Sequence, residues 1–363
     1  MKLDKRIRIL LLCGFCTAGL LIILLWDKER ILQHVSLLIL STVLGILFAN
    51  LTEGFLGEVA VRLMNFVAGF GMKQQDAEFD ESGVPRISLR RLGKKYYNAV
   101  RVAVAAFDYY DNWKKTGNEQ YMARFRNCVD SLIDNMKLIT QENLNYGVWE
   151  YDYPWSYGLE PPWISGLAQG MGVQALSRAY KLTGEEKYFK AAKVALNAFL
   201  VEVKAGGVTI KDNENEWWYE EHAGKGVQES RALNGMMYAL LGIYEYYEHT
   251  GDEEAKRLFA KGVKCLKNNL ARFDADWWSY YDILGTIATK SYHKVHIDLL
   301  RQIYEITREE EFFKICKKWS NYKANFFIRE FVRQKPNYHD MVILALNITG
   351  IFVLLEGAAF FIY

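Results

Sequence analysis

The sequence predicts an all-α protein: an α/α toroid of helical hairpins, with an N-terminal transmembrane helical hairpin and a C-terminal transmembrane helix. Three observations predict this fold class. Apolar residues recur at helical spacing through the middle of the chain, a turn motif repeats there at similar intervals, and both ends are almost wholly apolar. The resulting domains are a membrane hairpin at 1–56, a linker or amphipathic segment at 57–93, the toroid at 94–322, and a basic flank with the last membrane helix at 323–363.

Composition limits the class of protein. The 363 residues are 51% hydrophobic and 15% aromatic, which supplies a large core and argues against disorder. The chain has 45 lysine and arginine residues and 43 aspartate and glutamate residues, so its charges nearly balance. Because no long basic run lies between the apolar ends, we expect no nucleic-acid partner. The five cysteines are scattered and odd in number, so they predict no disulfide framework.

Both ends carry stretches long enough to cross a lipid bilayer. Residues 7–26 and 31–49 are nearly free of charge, and 341–363 form a third apolar stretch, in which Glu356 is interpreted as facing a protein neighbour or an interface. Basic residues precede the first and last stretches. The positive-inside rule therefore predicts an integral membrane protein whose central domain faces the cytoplasm. If 31–49 does not cross the bilayer, that domain is lumenal or extracytoplasmic.

A turn motif repeats along the central region. The motif consists of an aromatic helix end, a Thr-Gly pair and an acidic helix start. Its Thr-Gly pair stands at 116–117, 183–184 and 250–251, so that successive copies are 67 residues apart. A looser copy has Thr307 followed by Arg308. Each copy predicts a helical hairpin, with glycine in the left-handed position and acids near the positive end of the second helix. Such hairpins cannot bury their apolar faces alone and must stack on one another.

The segments between the repeats differ from ordinary linkers. Residues 146–170, 215–222 and 272–296 are rich in aromatic and polar side chains. Flat aromatic faces beside acids and amides suit pyranose rings, which stack on indole or phenol and hydrogen-bond through their hydroxyls. The same aromatics could instead be packing plugs. As a cluster they favour a sugar cleft, and their length favours a closed toroid over a linear solenoid.

Several short motifs occur in a specific order in these segments. The residues that carry them are Trp163, Gln169, Trp218, Tyr219, Glu221, Asn234, Tyr238, Tyr281, Tyr292, His293 and His296. This order resembles the C-terminal catalytic domain of the heparosan D-glucuronyl C5-epimerases, over roughly residues 96–322. Any one motif would be weak evidence, whereas the set in order is specific.

The resemblance implies a reaction and its catalytic residues. It implies that Tyr281 and Tyr292 match the catalytic tyrosines and Glu221 a catalytic carboxylate, in the conversion of D-glucuronate to L-iduronate within a glycan. Inverting C5 removes a proton α to a carboxylate and returns one on the opposite face, which requires a base on each face and donors or a cation for the enediolate charge. Two tyrosines can serve as these bases, and a phenolate base requires nearby positive charge.

The candidate binding residues surround these three. A uronate polysaccharide or a lipid-linked glycan is the expected partner, a homodimer is an open option, and no cofactor is expected. His293 and His296 lie at i, i+3 without an identifiable third ligand, so no metal is expected. The substrate-binding candidates are His222, Trp163, Gln169, Trp218, Tyr219, Asn234, Tyr238, Arg272, His293 and His296.

The sequence also departs from the animal enzymes. His222 stands where they carry a further tyrosine of the site. They have β-rich domains ahead of the helical one, whose place is taken here by the predicted membrane hairpin and a charged linker. This puts long-chain heparosan in doubt as the substrate and leaves a lipid-linked or surface glycan open.

Two alternative functions fit the same features. A uronate polysaccharide lyase begins with the same C5 proton abstraction, and its unsaturated product absorbs in the ultraviolet. A non-catalytic, membrane-tethered glycan-binding scaffold would use the same aromatic loops, and it would exchange no C5 hydrogen with solvent.

Overall fold

The computed structural model describes residues 31–68, 76–89, 94–141, 143–322 and 338–362. In chain order the helices are α1 (Ile31–Ala68), α2 (Ala99–Thr116), α3 (Glu119–Asp134), α4 (Gly166–Thr183), α5 (Glu186–Leu196), α6 (Leu233–Thr250), α7 (Glu253–Asn269), α8 (Lys290–Thr307), α9 (Glu310–Ser320) and α10 (Tyr338–Ile362). The strands are β1 (Asp76–Phe79), β2 (Pro85–Leu89), β3 (Lys94–Tyr96), β4 (Lys137–Gln141), β5 (Leu144–Val148), β6 (Thr209–Asn213) and β7 (Glu216–Tyr219).

The repeated motif forms the turns of helical hairpins, as predicted. Gly117, Gly184 and Gly251 end α2, α4 and α6 with φ of 67°, 69° and 70°, and each donates its N–H to the carbonyl four residues back. Arg308 ends α8 in the same left-handed conformation, with φ of 56°. A side chain is disfavoured there because Cβ crowds the following carbonyl. The looser fourth copy therefore keeps the geometry of the other three.

The hairpins stack into two layers of helices. The first helices of successive hairpins pack on one another, and α4 and α6 are buried on nearly every face. Their backbones approach closely because Gly170 and Gly242 have no side chain, and a Cβ at either would collide with the other helix. The second helices bury one face each, as amphipathic surface helices do.

The prediction of an all-α domain is corrected in one respect. Strands β1, β2 and β3 form an antiparallel sheet, while β4–β5 and β6–β7 are antiparallel hairpins in the segments between repeats. Strands of three to five residues are too short for their alternation to stand out from a helical pattern.

The boundary of the central domain also differs from the expected one. Contacts group Gln75–Tyr322 into one compact unit, and Met1–Gln74 with Lys323–Tyr363 into another. Strands β1 and β2 therefore belong to the central unit, although the sequence analysis assigned 57–93 to a linker. Val84 and Ile87 explain this, because both are buried in the core of that unit.

Among its described residues, the second unit contains one helix that could span a membrane by length and composition. Within α1, Leu32–Ala49 meets that criterion, and α10 has a shorter apolar stretch, Val342–Ala358. The predicted span at 7–26 lies outside the described residues. Helices α1 and α10 pack antiparallel: His34 Nδ1 lies 2.6 Å from Glu356 Oε1, and Thr52 donates to Asn347 at 2.9 Å. Glu356 thus faces a protein neighbour, as interpreted from the sequence.

Candidate active site

The site is organised around two adjacent acids at the end of β7. Glu220 is fully buried, and its carboxylate accepts the N–H groups of His222 and Arg231 and the hydroxyl of Ser230, at 2.8 to 3.0 Å. Its backbone carbonyl accepts the Gly166 N–H at 2.8 Å. Glu220 therefore fixes the loop that follows β7.

Glu221 reaches the site from this fixed loop. Asn234 Nδ2 donates to its Oε2 at 3.2 Å, and the Tyr281 hydroxyl lies 3.5 Å from its Oε1. A Cβ on Gly235 would come within 2.5 Å of this side chain, so the glycine makes room for the acid. Burial, and then the charge of Glu220, raise the pKa of Glu221 to about 8, against the lowering effect of Tyr281 and Asn234. Glu221 therefore keeps its proton at neutral pH.

Tyr281 and Tyr292 meet beside Glu221. Their rings contact edge to face, with centroids 4.9 Å apart and planes at 68°. The Tyr281 carbonyl accepts the Leu233 N–H at 2.9 Å, which ties its loop to the start of α6. Tyr292 lies in the first turn of α8, which Thr289 caps. Burial, and then the charge of Glu221, raise the pKa of both phenols, so both are neutral acids at neutral pH.

A cavity of about 280 Å³ opens onto this group. Its volume is near the lower end for ligand pockets and suits one sugar ring with its substituents. Tyr281 does not line the cavity but contacts two residues that do, Glu221 and Tyr292. The lining residues are Asn98, Val100, Arg101, Val104, Tyr151, Tyr153, Trp155, Trp163, Ser165, Leu167, Met171, Glu221, His222, Asn234, Tyr238 and Tyr292.

Four of the predicted binding residues line the cavity: Trp163, His222, Asn234 and Tyr238. The His222 Nδ1 lies 2.9 Å from the Ser230 hydroxyl, and its Nε2 is 3.8 Å from Glu221 Oε1. Trp163 stacks on Trp155 with ring centroids 6.2 Å apart. The prediction of an aromatic cleft beside the three candidate catalytic residues therefore agrees with this geometry.

Three predicted binding residues are core residues instead. Gln169 is fully buried, and its amide bonds to the backbone of Gly147, Ala195 and Trp149. Trp218 and Tyr219 are also fully buried. The Trp218 ring stacks on Phe273, and the Tyr219 hydroxyl donates to the Leu258 carbonyl at 2.6 Å. None of the three side chains lines the cavity. Trp218 and Tyr219 are adjacent on β7 and point to opposite faces of the strand, and both faces are covered by the core.

The three basic candidates near the C-terminal end of the domain also lie elsewhere. Arg272 is exposed on the surface and donates to Asn269 at 2.9 Å. His293 and His296 are buried in the core, where the Nδ1 of each lies within 3.0 Å of the Ser279 hydroxyl. Burial, and then the charge of His293, lower the pKa of His296 to about 3. Both histidines are buried, and neither lines the cavity.

The sequence analysis missed several residues of the site. Tyr157, whose backbone is left-handed with φ of 64°, donates to Asp282 at 2.6 Å and packs on His222 with ring centroids 4.7 Å apart. Asp282 is fully buried and accepts two backbone N–H groups of the Tyr281 loop. Arg101, from the first turn of α2, adds a cation to the wall. The only sequence signal for Tyr157 and Asp282 is their place in aromatic, acidic loops, and Arg101 precedes the region of the motifs.

Trp163 also lines a second, larger cavity. It measures about 720 Å³ and is lined by β4, β5 and the glycine-rich segments near 206 and 224. Lys137 and Glu150 on its wall pair with each other at 2.8 Å. Glu221, Tyr281 and Tyr292 do not line it. The smaller cavity is therefore the better candidate for the site of reaction.

The fold defines the class of protein. A sugar epimerase from a ruminal bacterium, known from its crystal structure, aligns with a TM-score of 0.50 at 12% identity, over 86% of this chain and 87% of that one. The arrangement of the central unit is thus that of an α/α toroid, as predicted.

Sequence comparison then gives the family. The D-glucuronyl C5-epimerase C-terminal family matches residues 141–321. The D-glucuronyl C5-epimerase of Caenorhabditis elegans is 35% identical over 183 residues, which is 45% of this chain and 29% of the worm protein. An uncharacterised protein of Methanocaldococcus jannaschii is 34% identical over 209 residues, 55% of this chain and 67% of that protein. The chain belongs to the D-glucuronyl C5-epimerase C-terminal family, which confirms the resemblance found in its motifs.

Proposed function

We propose that this protein inverts C5 of D-glucuronate residues, giving L-iduronate, in a polysaccharide or a lipid-linked glycan. The observation that carries the proposal is that Glu221 and Tyr292 share the wall of one cavity the size of a sugar ring, with Tyr281 hydrogen-bonded to Glu221. Family membership and the aromatic wall support it. The matched region is 29% of the length of the C. elegans enzyme, so activity and substrate are proposals for this protein.

The chemistry follows from the protons that these groups hold. In one direction the ionised Glu221 removes the C5 proton, and the electron pair of the C5–H bond moves into the carboxylate to give an enediolate. The Tyr292 hydroxyl then gives its proton to C5 from the opposite face and becomes a phenolate. Exchange with solvent returns a proton to Tyr292 and removes one from Glu221. In the other direction the two roles are reversed.

The raised pKa of Glu221 suits this reaction. A carbon acid α to a carboxylate is very weak, so a base with a pKa near 8 takes its proton more readily than one near 4.5. Tyr281 donates to this carboxylate and thereby sets its position and basicity. In this proposal Tyr281 acts through Glu221, rather than as one of two tyrosine bases.

Isotope exchange tests the proposal. The protein is incubated in D₂O with a panel of glucuronate polymers, and the sugars are analysed by NMR. We expect deuterium at C5 together with iduronate. An unsaturated product absorbing in the ultraviolet, without iduronate, would instead identify a lyase. Binding without any exchange at C5 on every polymer would leave only the glycan-binding scaffold.

We further propose that α1 attaches the protein to a membrane. Leu32, Ile39 and Leu47 are 84%, 61% and 64% exposed along its apolar stretch. Bare apolar side chains of this kind are favourable in lipid and costly in water. Resistance to alkaline extraction from membranes is expected, and release by alkali would contradict it. Protease protection in sealed vesicles would distinguish the cytoplasmic side from the extracytoplasmic side, and crosslinking would test the homodimer.

A further inference from the structure

Arg101 brings a positive charge to the wall of the catalytic cavity. Among the described residues that line this cavity, it is the one lysine or arginine. Its side chain extends from the first turn of α2 at an exposed position. The other ionisable groups of the wall are Glu221, His222 and tyrosines. The cavity thus combines one permanent cation with several groups that transfer protons or hydrogen-bond.

The backbone that carries Arg101 is firmly held. Asn98 caps α2 by accepting the Arg101 N–H at 2.9 Å, and its amide donates to the Tyr153 hydroxyl at 2.8 Å. Asn98 and Tyr153 line the same cavity, and Tyr153 lies against Trp163 with ring centroids 6.0 Å apart. One network therefore connects the start of α2 to the aromatic wall of the cavity.

The charge of Arg101 acts on the group proposed to donate a proton. Burial, and then Glu221, raise the pKa of Tyr292, whereas Arg101 lowers it. A cation in this position favours negative charge on the phenolate formed by proton donation. It equally favours a carboxylate or an enediolate that is bound beside Tyr292.

We propose that Arg101 binds the carboxylate of the reacting uronate and thereby selects acidic sugars and orients C5 toward Tyr292 and Glu221. This inference rests on the proposed function for its catalytic part. A guanidinium presents paired donors that match the two oxygens of a carboxylate. C5 is bonded to the carboxylate carbon, so fixing that group restricts the position of the reacting atom. Arg101 takes this role in place of Arg272, which the sequence analysis named among the substrate-binding candidates.

Binding measurements test the inference separately from catalysis. The probes are a heparosan oligosaccharide and the same oligosaccharide with its carboxyl groups reduced to hydroxymethyl groups. We expect wild type to prefer the acidic probe, Arg101→Gln to lose about tenfold to a hundredfold of that preference, and Arg101→Lys to lose less. Arg272→Gln is the matched control, because Arg272 lies on the surface away from the cavity, and it should bind as wild type does.

Catalysis gives a second readout. In Arg101→Gln we expect KM for the acidic polymer to rise and kcat to fall, since the charge supports both the bound carboxylate and the enediolate. If Arg101→Gln prefers the acidic probe as strongly as wild type does, the role of Arg101 is overturned, even if epimerisation occurs. If the preference depends on Arg101 while no C5 exchange occurs on any polymer, the role in binding stands and the proposed reaction fails.

Discussion

The two ends of the toroid are built on different principles. The turn end comprises the hairpin turns at 117, 184, 251 and 308 and the helix ends beside them. Its backbone geometry repeats from one hairpin to the next, and its charged side chains are paired. Arg178 bonds Glu245 through two nitrogens, and Ser177 bonds His249. At the loop end, made of residues 135–165, 197–232 and 270–289, each connection is different. There the backbone holds left-handed tyrosine, arginine and aspartate residues.

The loop end also holds an acid that the fold makes hard to ionise. Burial raises the pKa of Glu221, whereas Glu245 at the turn end has its pKa lowered: its burial raises the pKa, but the hydrogen bond and charge of Arg178 outweigh that effect. The difference suggests that the repeated end stabilises the fold, while strain and a poorly compensated acid are concentrated where the chemistry is proposed to occur. Substitutions at the two ends should therefore have opposite signatures.

Glu221→Gln should have the largest effect on activity. It keeps the shape of the side chain but removes the proton-transferring group, so we expect epimerisation to fall by about 10²- to 10⁴-fold. In wild type, activity should rise as the pH approaches 8, because the ionised fraction of Glu221 rises. The pH–rate profile of wild type checks this. Activity that falls toward pH 8 would contradict the role of Glu221 as base.

The same variant should be more stable than wild type at alkaline pH. The pKa of Glu221 is 4.5 in the unfolded reference and about 8 in the fold. Between those values the folded chain holds a proton that the unfolded chain has lost, so stability declines as the pH rises. Glutamine removes this cost, and we expect a gain of roughly 2 kcal/mol or more at pH 8 and none at pH 4. Denaturant titrations at the two pH values measure it.

Glu245→Gln should give the opposite result at the turn end. It leaves Arg178 partly buried without its charged partner, and we expect a loss of about 3 kcal/mol in unfolding free energy. Activity per folded molecule should stay near wild type. A large loss of kcat at an unchanged melting temperature would show that the two ends are not separable in this way.

Gly235→Ala tests how closely the loop end is fitted around Glu221. The added methyl group would meet the Glu221 side chain, so the carboxylate must shift. A displacement of this kind in a catalytic group typically costs up to about a hundredfold in rate. Gly350→Ala, in α10, is a matched control because its Cβ meets nothing nearby. The kinetic constants of both variants test whether the carboxylate is displaced. Equal activity would mean that the loop accommodates the methyl group.

Arg308→Gly should have the smallest effect, and a favourable one. The residue adopts the left-handed conformation that the other turns assign to glycine, which costs roughly 1 kcal/mol for a side-chain-bearing residue. We expect a gain of about that size in stability and no change in activity. Gly184→Arg, the reverse change in another turn, should lose a similar amount. Urea denaturation measures both, and a loss in Arg308→Gly would contradict the equivalence of the turns.

The turn end could be predicted from sequence because its signals are local and repeated. A Thr-Gly pair between two amphipathic patterns specifies one hairpin, and the interval of 67 residues identifies the repeat. The candidate catalytic residues came from ordered motifs in a recognised family. They converge in the structure because Leu233 ties the Tyr281 loop to α6 and Glu220 anchors the segment carrying Glu221.

Side-chain direction is what the sequence could not supply. Trp218 and Tyr219 occur in the same motif as Glu221, and Gln169 in the same ordered set of motifs, yet all three are buried in the core. Arg272 and Arg101 are both arginines near aromatic residues, and only the packing of α2 against the loops brings Arg101 to the cavity. Short strands were missed because hairpins of so few residues depend on tertiary packing rather than on their own pattern.

The central claim is that Glu221 and Tyr292 serve opposite faces of one sugar carbon. It is tested most directly by C5 exchange in D₂O, with Glu221→Gln and Tyr292→Phe each offered glucuronate and iduronate polymers and analysed by NMR. The account predicts that neither variant inverts C5 at an appreciable rate, and that Tyr292→Phe exchanges the hydrogen of one epimer without inversion and leaves the other untouched. Inversion near the wild-type rate in either variant, or exchange of both epimers by Tyr292→Phe, would contradict it.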